Sequence, residues 1–221
     1  MRHAKLLVFD LDGTLVDSLP DLHGALNRTF AALGVPEVSM RQVQSAIGDG
    51  ATILVQRLLP PSASPALLET ALERFRQEYD SHACDRTILY PGVREFLKAL
   101  AARPEPPRLA ILTNKPHTPS VLIAAHFGLP ELGIEWIVGG DTFTTRKPDP
   151  QGLRWLMEQA GTTPAETLMI GDGPADAGAA QAAGVPFAAL ECGYGDNLSV
   201  RDYPYANIHS SFADFARDWL G

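Results

Sequence analysis

The chain has 221 residues, 45% hydrophobic and 20% charged, enough apolar material for one sizeable core with an inserted unit. A net charge of −8 and a pI of about 5.2 argue against a nucleic-acid footprint or a polybasic membrane patch, so an anionic ligand would have to be held by local donors. No segment reaches the run of about 18 apolar residues that a membrane span needs. The apolar stretch after Lys5 is too short for a secretory leader, and a cytoplasmic protein is expected. Cys84 and Cys192 have no metal-ligand spacing and read as unpaired thiols.

In chain order, Leu6-Leu7-Val8-Phe9 is an apolar run built for a buried strand over 6–10, yet it ends in Asp10 and Asp12. Roughly ninety residues separate it from the next β-rich run at 109–113, far more than one crossover needs, and that insert reads as helical. Leu22, Ala25, Leu26, Thr29, Phe30 and Leu33 keep helical spacing up to Gly34. A second helix follows Ser39 and a third follows Gly50. After the break at Pro60–Pro65, a fourth carries Leu68, Leu72 and Phe75. The helical subdomain is placed at 17–88, with 1–16 and 89–221 forming the core. Beyond it, short strands at 109–113, 136–138, 168–171 and 187–190 alternate with helical segments, including 149–160 ending at Gly161. Thr163-Pro-Ala-Glu166 has capping-box spacing. This alternation predicts an α/β fold: a Rossmann-like parallel sheet with helices on both faces, plus a small inserted α-helical cap.

Ligands of such sheets bind outside the carboxyl ends of the strands, where polar residues gather here. The first strand ends in Asp10-Leu11-Asp12-Gly13-Thr14, the second in Thr113-Asn114, and the fourth in Gly171-Asp172-Gly173-Pro174-Ala175-Asp176; Lys147 precedes a helix. Singly, each has a plainer reading. The first aspartates can cap a helix near Ser18, Thr113 can be an ordinary strand residue, Lys147 a surface lysine, and Asp172 and Asp176 acids of a helix's first turn. Together they suit phosphoryl transfer. A carboxylate attacks phosphorus, a second acid moves the proton, and carboxylates around a hard cation favour Mg²⁺. A lysine and a hydroxyl stabilise the equatorial oxygens.

In content and order, the DxDGTL motif, the strand-ending threonine, the KPDP lysine and the GDxxxD loop resemble the haloacid dehalogenase superfamily in its phosphatase branch. The insert, with "DSLPDLHGALNRTFAALG" and "IGDGATILVQRLL", is most similar to bacterial phosphoglycolate phosphatases. The resemblance implies that Asp10 is nucleophile and metal ligand, and that Asp12 is general acid/base with its backbone carbonyl on the metal. It further implies that Asp172 ligates Mg²⁺ with support from Asp176, and that Thr113, Asn114 and Lys147 hold the phosphate. Gly173 departs from the pattern, because relatives commonly carry a hydroxyl or amide residue there. Gly48, Asp49 and Gly50 either break a helix or form a cap loop that faces the substrate.

The expected activity is Mg²⁺-dependent hydrolysis of a small phosphomonoester, phosphoglycolate or similar, through an aspartyl phosphate. The expected partner is a small phosphorylated metabolite, not nucleic acid or membrane, and the protein is expected to be a monomer or homodimer. A phosphosugar phosphatase or mutase uses the same core residues, and a non-catalytic interaction module could retain the fold. Asp12 disfavours dehalogenation. The lack of any lysine within 17–88 disfavours Schiff-base phosphonate chemistry.

Overall fold

Leu6–Phe9 forms β1, four residues buried on both faces, as a strand covered by helices on each side requires. The chain is described here from a computed structural model, covering residues 4–195, 203 and 206–221. β1 sits at the middle of a six-stranded parallel sheet whose further strands are β4 (Arg108–Leu112), β5 (Ile134–Val138), β6 (Thr167–Gly171), β7 (Phe187–Leu190) and β8 (Ala206–His209). Their order is β5-β4-β1-β6-β7-β8. The chain leaves β1 toward β4 but leaves β6 toward β7, so strand order reverses between β1 and β6, and a crevice opens at their carboxyl ends.

Side-chain alternation divides the core between the two faces. Leu7 and Phe9 of β1 face Phe96 of α5 (Val93–Ala101), with Phe212, Phe215 and Trp219 of α9 (Phe212–Leu220). Leu6 and Val8 face α7 (Gln151–Ala160) and α8 (Pro174–Ala183) through Leu153, Leu156, Ala177 and Ala180. α6 (His117–His126) follows β4. The 149–160 helix begins at Gln151 and ends on Gly161 in the left-handed region, and Pro164–Glu166 is a single 3₁₀ turn closed by the Thr163–Glu166 capping box.

Between residues 17 and 88 lie four helices: α1 (Leu19–Ala32), α2 (Met40–Ala46), α3 (Ala51–Leu58) and α4 (Pro65–His82). Ser39 and Ser64 cap α2 and α4 with side-chain oxygens, as their residue types favour. Two strands not anticipated from sequence, β2 (Val16–Asp17) and β3 (Ile88–Leu89), pair antiparallel where the chain enters and leaves the insert. Asp21 strengthens this stem. Its buried carboxylate accepts the Arg86 and Thr87 backbone N–H groups, at 2.9 and 2.7 Å, and the Thr87 hydroxyl at 2.8 Å. Cys84 and Cys192 are free thiols, and no helix among the described residues is long and apolar enough to cross a membrane.

Candidate active site

At the end of β1 the Asp10 N–H still bonds the Ile170 carbonyl (2.9 Å), after which the chain turns out of the sheet. The Leu11 N–H meets Asp10 Oδ1 at 2.7 Å and holds that carboxylate over the crevice. Gly13 takes a positive φ of 85°, and a Cβ there would collide with the Asp172 carboxylate, so the turn needs glycine for both conformation and space. β6 delivers Asp172 to the same crevice. Its Oδ1 accepts the Thr14 hydroxyl (3.1 Å), while Oδ2 accepts the Tyr194 and Gly195 backbone N–H groups (2.7 and 3.0 Å). Asp176 lies in the first turn of α8, where its Oδ2 accepts the Gly173 N–H at 3.0 Å, as the plain helix-end reading anticipates. It does more than cap. Its Oδ1 lies 2.6 Å from Lys147 Nζ, which also reaches Asp10 Oδ1 at 2.9 Å. Lys147 is 4% exposed, so it is not a surface lysine.

Carboxylate oxygens of Asp10, Asp172 and Asp176 lie within 4.8 Å of one another. Burial pushes Asp10 up to about 6, against the opposing pull of Lys147. Burial, together with the charges of Asp10 and Asp176, pushes Asp172 up to about 7. Burial alone would lower the Lys147 pKa, but Asp10 and Asp176 more than offset it and the ammonium stays charged. Three clustered carboxylates with one ammonium lack positive charge, and an all-oxygen donor set of this kind fits a hard divalent cation. Gly173 interferes with nothing: a Cβ there would meet Asp176 Oδ2 at an ordinary 3.7 Å.

These shifts set the sign of a pH effect. Acids whose folded pKa exceeds the unfolded value of about 4 favour folding most at low pH, and the benefit is lost as pH rises through the folded pKa. In EDTA the melting temperature should therefore fall as pH rises through the window between that unfolded value and the raised values of Asp10 and Asp172, about 6 and 7. A divalent cation should recover it at neutral pH, because it binds the folded state. Asp172→Asn should flatten the slope. Thermal denaturation of wild type and variant in EDTA checks this, and identical slopes would contradict it.

Thr113 and Asn114 follow β4 into the crevice, both buried, and Thr113 Oγ1 accepts the Lys115 N–H at 3.3 Å. Asn114 Nδ2 donates to the Lys147 carbonyl (2.9 Å) and the Gly48 carbonyl (2.8 Å), so its side chain ties the backbone of the site lysine to the 48–50 loop. The same bond brings the Gly48-Asp49-Gly50 loop to the site, where all three line a cavity of about 610 Å³ together with Asp10, Asp12 and Lys147. Gly50 has a φ of 88°, and a Cβ on it would lie 2.7 Å from Arg146 Nη1 and 3.0 Å from the Asn114 carbonyl. Asp49 turns aside to pair with Arg57 at 2.5 Å.

A family profile described as haloacid dehalogenase-like hydrolase matches residues 4–184, spanning β1 through α8 and so every site residue named above up to Asp176. The chain belongs to the haloacid dehalogenase-like hydrolase family. A phosphoglycolate phosphatase of Pseudomonas putida is 40% identical over 198 residues, covering 86% of this chain and 70% of that protein. One from Rhodospirillum rubrum is 38% identical over 228 residues, covering 98% and 91%. The crystal structure of a predicted phosphoglycolate phosphatase from Haemophilus somnus superposes with a TM-score of 0.90 at 32% identity, covering 98% of both chains.

In this haloacid dehalogenase-like hydrolase, several site residues escape the motif reading. Thr14 belongs to the quoted DxDGTL motif but has no role assigned until its hydroxyl is found on Asp172. Tyr194 and Gly195 follow β7 on a loop of no recognisable pattern, and only the fold brings their N–H groups to Asp172. Lys115 is 6% exposed, and its Nζ lies 2.8 and 3.1 Å from the two oxygens of Asp12. One signal was available in the sequence: Lys115 is one of only four lysines and directly follows a motif at a strand end.

Proposed function

We propose that this hydrolase is a phosphatase of small phosphomonoesters, phosphoglycolate or a compound of similar size, acting through Asp10. The observation that carries the reading is the Lys147 ammonium held between Asp10 and Asp176, with Asp172 beside them at the β1/β6 crevice. Lys147 would draw the phosphate onto Asp10, and the Thr113 hydroxyl would bind a second oxygen. Asn114 would join them in holding the phosphate, while its side chain fixes the Lys147 backbone and the 48–50 loop. Asp10 attacks phosphorus while Asp12 gives its proton to the leaving oxygen. Asp12 then takes a proton from the water that hydrolyses the acyl phosphate. Asp10, Asp172, the Asp12 backbone carbonyl and, in support, Asp176 would hold Mg²⁺, which when bound offsets the negative charge shared by phosphate and carboxylates. The helices of 17–88 would act as a cap, and a cavity of about 610 Å³ beneath them suits a metabolite rather than a polymer.

Phosphate release from a panel of phosphorylated metabolites, with and without EDTA, tests the reading. Release should be fastest from compact phosphates and stop in EDTA. Faster hydrolysis of phosphoprotein or nucleic-acid ends than of every metabolite would contradict it. A preference for a sugar phosphate would keep the chemistry and change the substrate.

The acid/base role makes a separate demand. Asp12→Asn should lower kcat/KM by roughly 10²–10⁴-fold for alkyl phosphates, the usual range for a positioned proton-transfer group. The loss should be much smaller for p-nitrophenyl phosphate, whose leaving group needs little protonation. Equal losses on both would count against the role.

A further inference from the structure

Asp12 lies on the turn between β1 and β2, where a single β-bridge to Val16 holds its backbone, and its carboxylate is fixed from two sides. Ser18 donates to Oδ1 at 2.6 Å. Although serine is a favoured N-cap type and Ser18 stands at the start of α1, its side chain makes no capping bond and is given to Asp12 instead. From the other side comes Lys115, whose ammonium has three protons to place. Two go toward the Asp12 oxygens, and the third contact is the Tyr79 hydroxyl at 2.8 Å. Tyr79 belongs to α4 of the insert, is 3% exposed, stacks on Phe75 at 5.7 Å, and places its ring 4.4 Å from the same ammonium. Burying an ammonium is costly unless it is fully partnered, and among the described residues the hydrogen-bond partners of this one are the proposed acid/base and Tyr79.

Resting on the phosphatase reading, we propose that Lys115 and Tyr79 are positioning residues for the acid/base. Lys115 fixes the Asp12 carboxylate toward the leaving group, and Tyr79 carries that constraint from the inserted helices to the core. Neither side chain is among the proposed phosphate or metal ligands. Their effect must therefore appear where protonation of the leaving group matters and be small where it does not.

The test is kcat/KM for phosphoglycolate, for 2-hydroxyethyl phosphate, which is similar in size but lacks the carboxylate, and for p-nitrophenyl phosphate. Lys115→Met keeps the apolar stem and removes the charge. It should cost roughly 10–100-fold on both alkyl phosphates, the scale of a misplaced catalytic group, and only a few-fold on p-nitrophenyl phosphate. Tyr79→Phe keeps the ring packing and should show a smaller loss of the same pattern, which covers the case of a Lys115 variant that does not fold. Equal losses on all three substrates in both variants would make the pair merely structural and overturn the proposal. A loss confined to phosphoglycolate would also overturn it, because Lys115 would then be reading the substrate's carboxylate. If wild type released phosphate from none of the three, the phosphatase reading would fail, and this inference with it.

Discussion

Asp10→Asn is expected to abolish phosphate release, by at least about 10⁴-fold, in a protein that remains folded. The amide has nearly the shape of the carboxylate and can still accept the Leu11 N–H, so the turn after β1 has no reason to change. What is lost is the nucleophilic oxygen and one of three clustered negative charges. Because burial, reinforced by the neighbouring carboxylates, raises the pKa of Asp10 and Asp172, removing the Asp10 charge should leave the metal-free variant at least as stable as wild type near neutral pH. Loss of turnover with retained or raised melting temperature in EDTA is the signature of a residue kept for chemistry at the expense of stability. Substantial turnover in a folded preparation would remove Asp10 from its role.

Lys147→Ala should have the next largest effect, and in the opposite direction for stability. Its ammonium is the cation that touches both Asp10 and Asp176, at 2.9 and 2.6 Å, while Lys115 is engaged with Asp12. Removing it leaves buried carboxylates unpaired, which costs about 3–5 kcal/mol in comparable buried pairs. The melting temperature in EDTA should fall accordingly, and the stabilisation gained on adding Mg²⁺ should grow, since the cation then has no competitor for Asp10 and Asp176. At saturating Mg²⁺ the loss in kcat/KM should be roughly 10²–10³-fold, the scale of one lost oxyanion donor. Lys147→Arg should recover stability better than activity, because a planar fork carries the charge without reproducing a compact ammonium between two oxygens. Wild-type kcat/KM in Lys147→Ala would mean that the phosphate is held by other groups.

How far the molecule can be read from its sequence follows from how local each feature is. Leu6–Phe9 is legible as a buried strand because all four residues are apolar, and the insert's helices are legible because α1 keeps its spacing over fourteen residues. β2 and β3 are not, since strands of two residues carry no periodicity; they exist because Leu15 and Tyr90 meet across the stem. β8, Ala-Asn-Ile-His, has little strand character and takes its conformation from pairing with β7. The strand-end aspartates, Thr113 and Lys147 stand in short motifs and can be found one by one. The groups that orient them come from residues as distant as Tyr79, Gly48 and Tyr194, and nothing short of the fold brings those together.

A covalent bond between Asp10 and phosphorus can be trapped by rapid quenching during turnover of a phosphomonoester radiolabelled on phosphorus. Phosphorus label on the quenched protein would report the acyl phosphate, and reduction of a parallel sample with tritiated borohydride, which expels the phosphate and leaves tritiated homoserine, would let peptide mapping locate it. Phosphorus label should appear on the protein within the first turnover and rise before free phosphate, the tritium should map to the peptide containing Asp10, and both should be absent from Asp10→Asn. Release of phosphate with no labelled protein at any time, or label on another residue, would contradict a bond to Asp10.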